Sequence, residues 1–248
     1  MKKKVLKITG ITLLILLVLI IALPLFLQGK IEQIIKDKVN NSINATFNFE
    51  DASLSLLKSF PNANLELTNL SLVNKAPFEG DTLFSSGDIE LTMSIKELFK
   101  SADEPIVIQK LNVNRAKLHI KVDENENANY DIAKEGDGAS AETSEASDDN
   151  FTLAMDSYSI TNSEIMYHDL SSGMRLAISE MNHSGTGDLS LEKSQLKTMT
   201  DALVSFEMDS TLYLNKNKIS LDALIGIDLA ESKYSFLENK AMVNQLPL

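Results

Sequence analysis

A chain of 248 residues with a formal net charge of -12 and no cysteine can form no disulfide framework, no thiolate nucleophile and no thiolate metal site. A nucleic-acid partner is excluded on charge, because its phosphate backbone would repel the protein. The acidity is local: the stretch from Asp123 to Asn150 holds ten acidic residues and one lysine, a net of -9, which leaves -3 for the rest of the chain.

The chain opens with Lys2, Lys3, Lys4 and Lys7, a basic tail over residues 1–7. Ile8 to Leu27 follow, twenty residues without a charge. At about 1.5 Å per helical residue this run spans roughly 30 Å, the thickness of a bilayer's hydrocarbon core. It is longer than the usual h-region of a cleaved signal, and its one small residue near the end, Ala22, sits two positions before Pro24. The run therefore reads as a retained transmembrane anchor over 8–27. The lysine bias predicts a cytoplasmic N-terminus, a single membrane pass and an exported remainder. The bilayer is thus the first expected partner.

Residues 28–45 predict a short amphipathic helix, with Ile31, Ile34, Ile35, Val39 and Ile43 on one stripe. From residue 46 the pattern changes to period two, and a first β region is expected over 46–134. Ile89, Leu91, Met93 and Ile95 alternate with polar residues, as do Ala116, Leu118, Ile120 and Val122. Such alternation puts one set of side chains on a dry face and the other in water, as in antiparallel sheets with one wet face. Two segments change phase midway: Leu65 and Leu67 give way to Leu70 and Leu72, and Ile106 and Ile108 to Leu111 and Val113. Bulges or bends are expected there. A turn of helix is expected around Lys96 to Ser101, with Leu98 and Phe99 inward.

The segment after the first β region is rich in Glu, Asp, Ser, Ala and Gly and nearly free of large apolar residues. It predicts a disordered acidic linker over 135–150. Just before it, Asn125 to Ala133 should be ordered, with Tyr130 and Ile132 to bury. A second β region over 151–248 contains the longest alternation, Ile219, Leu221, Ala223, Ile225, Ile227 and Leu229. Val204, Phe206, Met208, Leu212 and Leu214 precede it on one parity. Asn215, Lys216, Asn217 and Lys218 between them read as a turn.

Enzyme chemistry finds no foothold. His119, His168 and His183 are scattered, and His119 falls on the wet face of its strand. His168-Asp169 lacks a third ligand at useful spacing. No phosphate-cradling Gly-Lys-Ser/Thr sequence or nucleophile elbow is present. A non-enzyme with no cofactor, no metal and no catalytic residue is expected.

A sheet with one apolar face must cover it. Many strands and one useful helix leave two solutions: two sheets closed as a sandwich, or a trough filled by another molecule, for which lipid acyl chain is the obvious filler beside a membrane. The order of features resembles the AsmA family of Gram-negative envelope proteins. The carrying residues are the Lys-flanked anchor, Ile31-Glu32-Gln33-Ile34-Ile35, Ser59-Phe60-Pro61-Asn62-Ala63-Asn64-Leu65-Glu66-Leu67, Ile89 to Ile95 followed by Glu97-Leu98-Phe99, and Ile106 to Val113 leading into Leu118-His119-Ile120. Asn127-Ala128-Asn129-Tyr130-Asp131-Ile132 is similar to the family's Gly-x-x-Asn-aromatic-Asp-Ile stretch, with Glu126 near the place of the glycine. Gly185-Thr186-Gly187-Asp188-Leu189 is similar to its later Gly-x-Gly-Asp motif.

The resemblance implies the N-terminal part of a longer, TamB-related member: a mainly β protein in which a transmembrane helix and a short amphipathic helix precede long antiparallel strands. Those strands would form a groove of the bridge type, the sandwich remaining the alternative. It also implies that the anchor sits in the inner-membrane bilayer with the bulk of the chain in the periplasm, and a role in outer-membrane homeostasis. That role is either lipid transport, with phospholipid or another acyl-chain ligand as partner, or regulation of protein targeting to the membrane, with outer-membrane assembly components as partners. The candidate groove residues are Leu65, Leu67, Ile89, Leu91, Met93, Ile95, Leu118, Ile120, Phe206, Met208, Ile219, Leu221, Ile225 and Ile227.

Overall fold

The computed structural model describes residues 32–100, 106–134, 151–152, 155–188, 191 and 193–247. The expected basic tail, the anchor over 8–27 and the acidic linker over 135–150 lie outside these residues. Among the described residues no helix is long and apolar enough to cross a membrane.

A helix over residues 32–42 leads into the strands. These are β1 (Ala45–Asn48), β2 (Asp51–Ser55), β3 (Asn62–Asn74), β4 (Thr82–Ser94), β5 (Ile106–Val107), β6 (Lys110–Asn114), β7 (Lys117–Val122), β8 (Phe151–Thr152), β9 (Ser157–Asp169), β10 (Met174–Thr186), β11 (Lys193–Met208), β12 (Thr211–Asp228), β13 (Lys233–Val243) and β14 (Leu246–Pro247). A 3-10 turn, Ile95–Phe99, ends β4 where expected and packs Leu98 against the core. Twelve strands form one sheet in the order β1-β3-β4-β6-β9-β10-β11-β12-β13-β14, with β2 beside β3 and β7 between β4 and β9. The only other sheet among the described residues is the two-stranded pair β5–β8, so no second large sheet is there to close a sandwich.

The sheet is mixed, not antiparallel throughout. β6 and β7 pair with β9 in parallel. The long connection from β7 to β9 lets the chain return to the same end of the sheet, which a tight hairpin cannot do. This pairing joins the strands before and after residues 135–150 in one sheet.

Cross-strand partners share a face, so the register shows how the apolar residues line up. Leu54, Leu65, Leu91, Leu111 and Tyr158 follow one another across β2, β3, β4, β6 and β9. Leu72, Phe84, Leu118, Ile165, Ile178 and Val204 form a second row that reaches β11. Ala202, Ile219 and Val243 carry the same face to β13. The opposite face is polar. It carries ion pairs such as Lys117–Glu164 at 2.9 Å and Lys58 with Glu66 and Glu90 at 3.2 and 2.5 Å.

A crease crosses the sheet between these rows. Asn69 in β3 lies opposite Gly87 in β4, Gly87 opposite Arg115 between β6 and β7, and Arg115 beside Asn162 in β9. Glu180 continues the line as an unpaired residue in β10. Asn69, Arg115, Asn162 and Glu180 have φ of 48°, 56°, 51° and 51°, a left-handed backbone that reverses the side-chain alternation locally. Because adjacent strands reverse together, Leu67 and Leu70 both stay on the apolar face, as do Ile89 and Phe84. The phase change at Leu67 to Leu70 is this kink. The change from Ile108 to Leu111 has a different cause: β5 leaves the main sheet to pair with β8. Polar side chains repair the backbone at the crease. The buried Ser163 hydroxyl accepts from Ala116 N–H at 2.9 Å and donates to Thr161 O at 2.8 Å.

Three local expectations change. The turn between β11 and β12 is Asp209-Ser210, both at positive φ (49° and 61°), the backbone of a two-residue hairpin loop. Asn215 to Lys218 lies inside β12 as a bulge, where Lys216 has φ 50° and its N–H donates to Ser205 Oγ at 2.9 Å. Its polarity reflects water at that site, not a chain reversal; Leu212 and Leu214 therefore belong to β12, and Leu229 to the following turn. In the helix, Ile35 packs on the core while Ile34 is 56 % exposed, which splits the expected stripe. In the segment before residue 135, Tyr130 is exposed, and Asn129, at 1 % exposure, is the buried residue. Its side chain donates to His119 O (2.7 Å) and accepts from Lys121 N–H (2.9 Å), and its own carbonyl accepts from Asn74 Nδ2 (2.5 Å). The segment is ordered by hydrogen bonding to β7 more than by apolar burial.

Candidate functional site

All fourteen candidate groove residues belong to the apolar face or, for Ile95, to the turn that packs on it, but their surroundings differ. Leu65, Leu67 and Met93 are buried in a cluster with Phe49, Ala52, Leu54, Leu56, Ala63 and Leu70. Ile89, Leu91 and Ile95 pack against that cluster, as does Ile35 of the helix. The helix is held over this end of the sheet by Asn40, whose side chain accepts from Phe47 N–H at 2.8 Å and donates to Phe47 O at 3.0 Å. Lys134 Nζ donates to the carbonyls of Asn40 and Asn41 at the helix C-terminus, at 2.8 and 3.0 Å. The first strands therefore have a roof.

Among the described residues the roof ends as the sheet continues. Leu118 and Ile120 are half-buried, as are Phe206, Ile219, Leu221, Ile225 and Ile227, and Met208 is exposed at the rim. In β11 and β12 the buried residues are Thr198, Ala202 and Ala223, all small. That pattern is what lateral shading by tall neighbours produces on a sheet with nothing lying over it: short side chains are hidden and long ones keep part of their surface. At β13 the same face shows Tyr234 and Phe236 at 69 % and 65 % exposure. Apolar surface in contact with water is unfavourable by about 25 cal/mol per Å², so the uncovered part of the face is suited to an apolar ligand.

One polar group interrupts it. Tyr158, His183 and Thr200 meet where β9, β10 and β11 adjoin, with Tyr158 Oη 2.8 Å from His183 Nε2 and His183 Nδ1 2.8 Å from Thr200 Oγ1. Burial pushes the His183 imidazolium below its ordinary pKa, with the Met199 carbonyl opposing in part, and burial likewise pushes the Tyr158 phenol up. Both groups are therefore neutral near pH 7. Sequence reading passed over His183 as a scattered histidine. The usable signal was Thr198 and Thr200 standing on the apolar parity of β11 between Leu196 and Ala202. His119 is on the polar face, opposite Met166. Among the described residues no group of three His, Asp or Glu side chains is placed to hold a metal ion.

The sequence profile of the AsmA family matches residues 1–240. A search of curated proteins returned no match.

Proposed function

This chain belongs to the AsmA family, and we propose that it is a membrane-anchored envelope protein that carries phospholipid or another acyl lipid along the apolar face of its sheet. Family membership supports an envelope-associated role in general. The observation that carries the lipid reading is the loss of cover, among the described residues, along a face whose apolar register continues from β2 to β13. In the proposed arrangement Ile8 to Leu27 hold the chain in the inner membrane with Met1 cytoplasmic, and the sheet works in the periplasm. The first strands are the folded base, and β9 to β13 contact the acyl chains. The role needs no catalysis and no cofactor.

The test is to purify the full chain in detergent, extract it with organic solvent and identify lipid by mass spectrometry. Near-stoichiometric lipid is expected. A folded chain that carries none would refute the reading. The second reading is a lipid-free assembly or regulatory factor for outer-membrane proteins. It is favoured by the exposed aromatic side chains of β13, Tyr234 and Phe236, a residue type enriched at protein–protein interfaces.

A further inference from the structure

The polar group on the apolar face has a definite hydrogen-bonding remainder. Register sets its members together: Tyr158 lies opposite Gly185, and His183 opposite both Ile160 and Thr200. The phenol ring occupies the space a side chain at Gly185 would need, since a Cβ there would lie 2.3 Å from Tyr158 Cε1. The ring thus lies over Gly185, its centroid 5.3 Å from that of the imidazole.

A neutral imidazole has one donor nitrogen and one acceptor nitrogen. If Nδ1 carries the proton, it donates to Thr200 Oγ1, the Tyr158 hydroxyl donates to Nε2, and the Thr200 hydroxyl proton is left over. If Nε2 carries it, Tyr158 Oη accepts, the Thr200 hydroxyl donates to Nδ1, and the Tyr158 proton is left over. In either tautomer one hydroxyl proton has no acceptor among the described residues. All three side chains are half-buried, so that proton can be reached from above the face. Water satisfies it while the face is wet. A hydrocarbon chain lying across the face displaces the water and offers no acceptor, which is costly. A ligand that ends its hydrocarbon here and presents an oxygen avoids the cost.

We propose that Tyr158, His183 and Thr200 form a binding site for an acceptor oxygen, ester or phosphoryl, at the polar end of an acyl lipid, and so fix where along the face that end comes to rest. The site rests on the lipid-carrying reading above. It differs from that reading in requiring an oxygen, where the apolar face alone requires only hydrocarbon.

The test uses the full chain in detergent with two photoactivatable probes that carry a diazirine in the chain: a diacyl phospholipid and a plain alkane of equal chain length. The parent protein should be labelled about fivefold more by the phospholipid, the preference expected from one net hydrogen bond. The double variant Tyr158→Phe/Thr200→Val, which preserves shape, and separately His183→Leu, should bring the preference close to one while alkane labelling persists. Equal labelling of the parent by both probes, or a preference unchanged in both variants, overturns the site and leaves the apolar face standing. Labelling of the parent by neither probe overturns both. Loss of the preference in excess inorganic phosphate assigns the site to free phosphate and overturns the lipid assignment.

Discussion

Gly87 and Arg115 face each other across the crease so closely that a Cβ on the glycine would lie 2.4 Å from the guanidinium Nε and Nη2. Arg115 holds Asp88 at 2.9 Å from this position, and its side chain is more than half exposed. Gly87→Ala should push the guanidinium off Asp88 into water, without moving backbone. An exposed ion pair contributes about 0.2–1 kcal/mol, so the expected loss is of that size. In the double variant with Arg115→Ala the alanine should cost nothing further. Chemical denaturation of the four proteins of this cycle measures the coupling. A much larger loss from Gly87→Ala would mean that the crease backbone cannot shift.

Gly187 is the contrasting case. A Cβ there would meet the Gln195 backbone carbonyl at 2.3 Å and Leu196 Cα at 3.1 Å. No side chain can rotate away, so the start of β11 must separate from the end of β10. Gly187→Ala is expected to cost several kcal/mol, in the range of overpacked or strained sites. Amide exchange should show lost protection at Thr198 and Leu196 while β3 and β4 stay protected. A cost below about 1 kcal/mol would show the two strands to be loosely docked.

Asn129 should matter more than the aromatic residue beside it. Asn129→Ala leaves the Lys121 N–H and the His119 carbonyl without their partners in a buried site, a loss of about 1–3 kcal/mol for each group left unsatisfied. Tyr130→Ala removes an exposed ring and should change stability by about 0.5 kcal/mol or less. Thermal unfolding of the two variants gives the comparison; equal effects would contradict the assignment. The sequence pattern contained both residues, but apolar bookkeeping pointed to Tyr130. A side chain that substitutes for backbone pairing leaves no periodic signature. Period-two alternation, by contrast, reported the faces of β4, β7 and the second half of β12 directly, because each position there is set by local backbone geometry. It could not report which strands are neighbours, so the parallel pairing of β6 and β7 with β9 was not legible. Nor could polarity at Asn215 to Lys218 distinguish a bulge from a turn, since both expose the backbone to water. The Tyr158–His183–Thr200 group joins three strands and was invisible for the same reason.

His183 gives the fold a pH dependence of known sign. Its folded-state pKa lies below the ordinary histidine value, chiefly through burial, so the unfolded chain binds the proton more readily. Stability is then full above the unfolded pKa of about 6.5 and falls as pH drops through that value toward the folded one. Urea midpoints for the parent should decrease between pH 7.5 and pH 5.5. His183→Gln should remove the part of that decrease due to this residue. An unchanged slope in the variant would place the pH dependence on other groups.

Ile225→Asp tests whether the face over β11 to β13 is uncovered. Ile225 lies between Leu196 and Phe236 on that face. If nothing covers it, a carboxylate there stays hydrated, and the loss is that of a half-buried isoleucine's remaining apolar contact, about 1 kcal/mol. If a second layer covered it, the aspartate would be buried without a partner, at several kcal/mol, enough to unfold a marginally stable domain. The control must lie on the opposite face. Thr211 does not serve, because it lies opposite Met208 on the apolar face. Leu224, paired with Lys197 and Glu238 on the polar face, is the proper choice. Lipid content and thermal unfolding are measured together on the full-length parent, Ile225→Asp and Leu224→Asp. The expected result is cooperative unfolding in all three, with bound lipid reduced only by Ile225→Asp. Global unfolding caused by Ile225→Asp, with no lipid in the parent, would mean that the face is closed by protein.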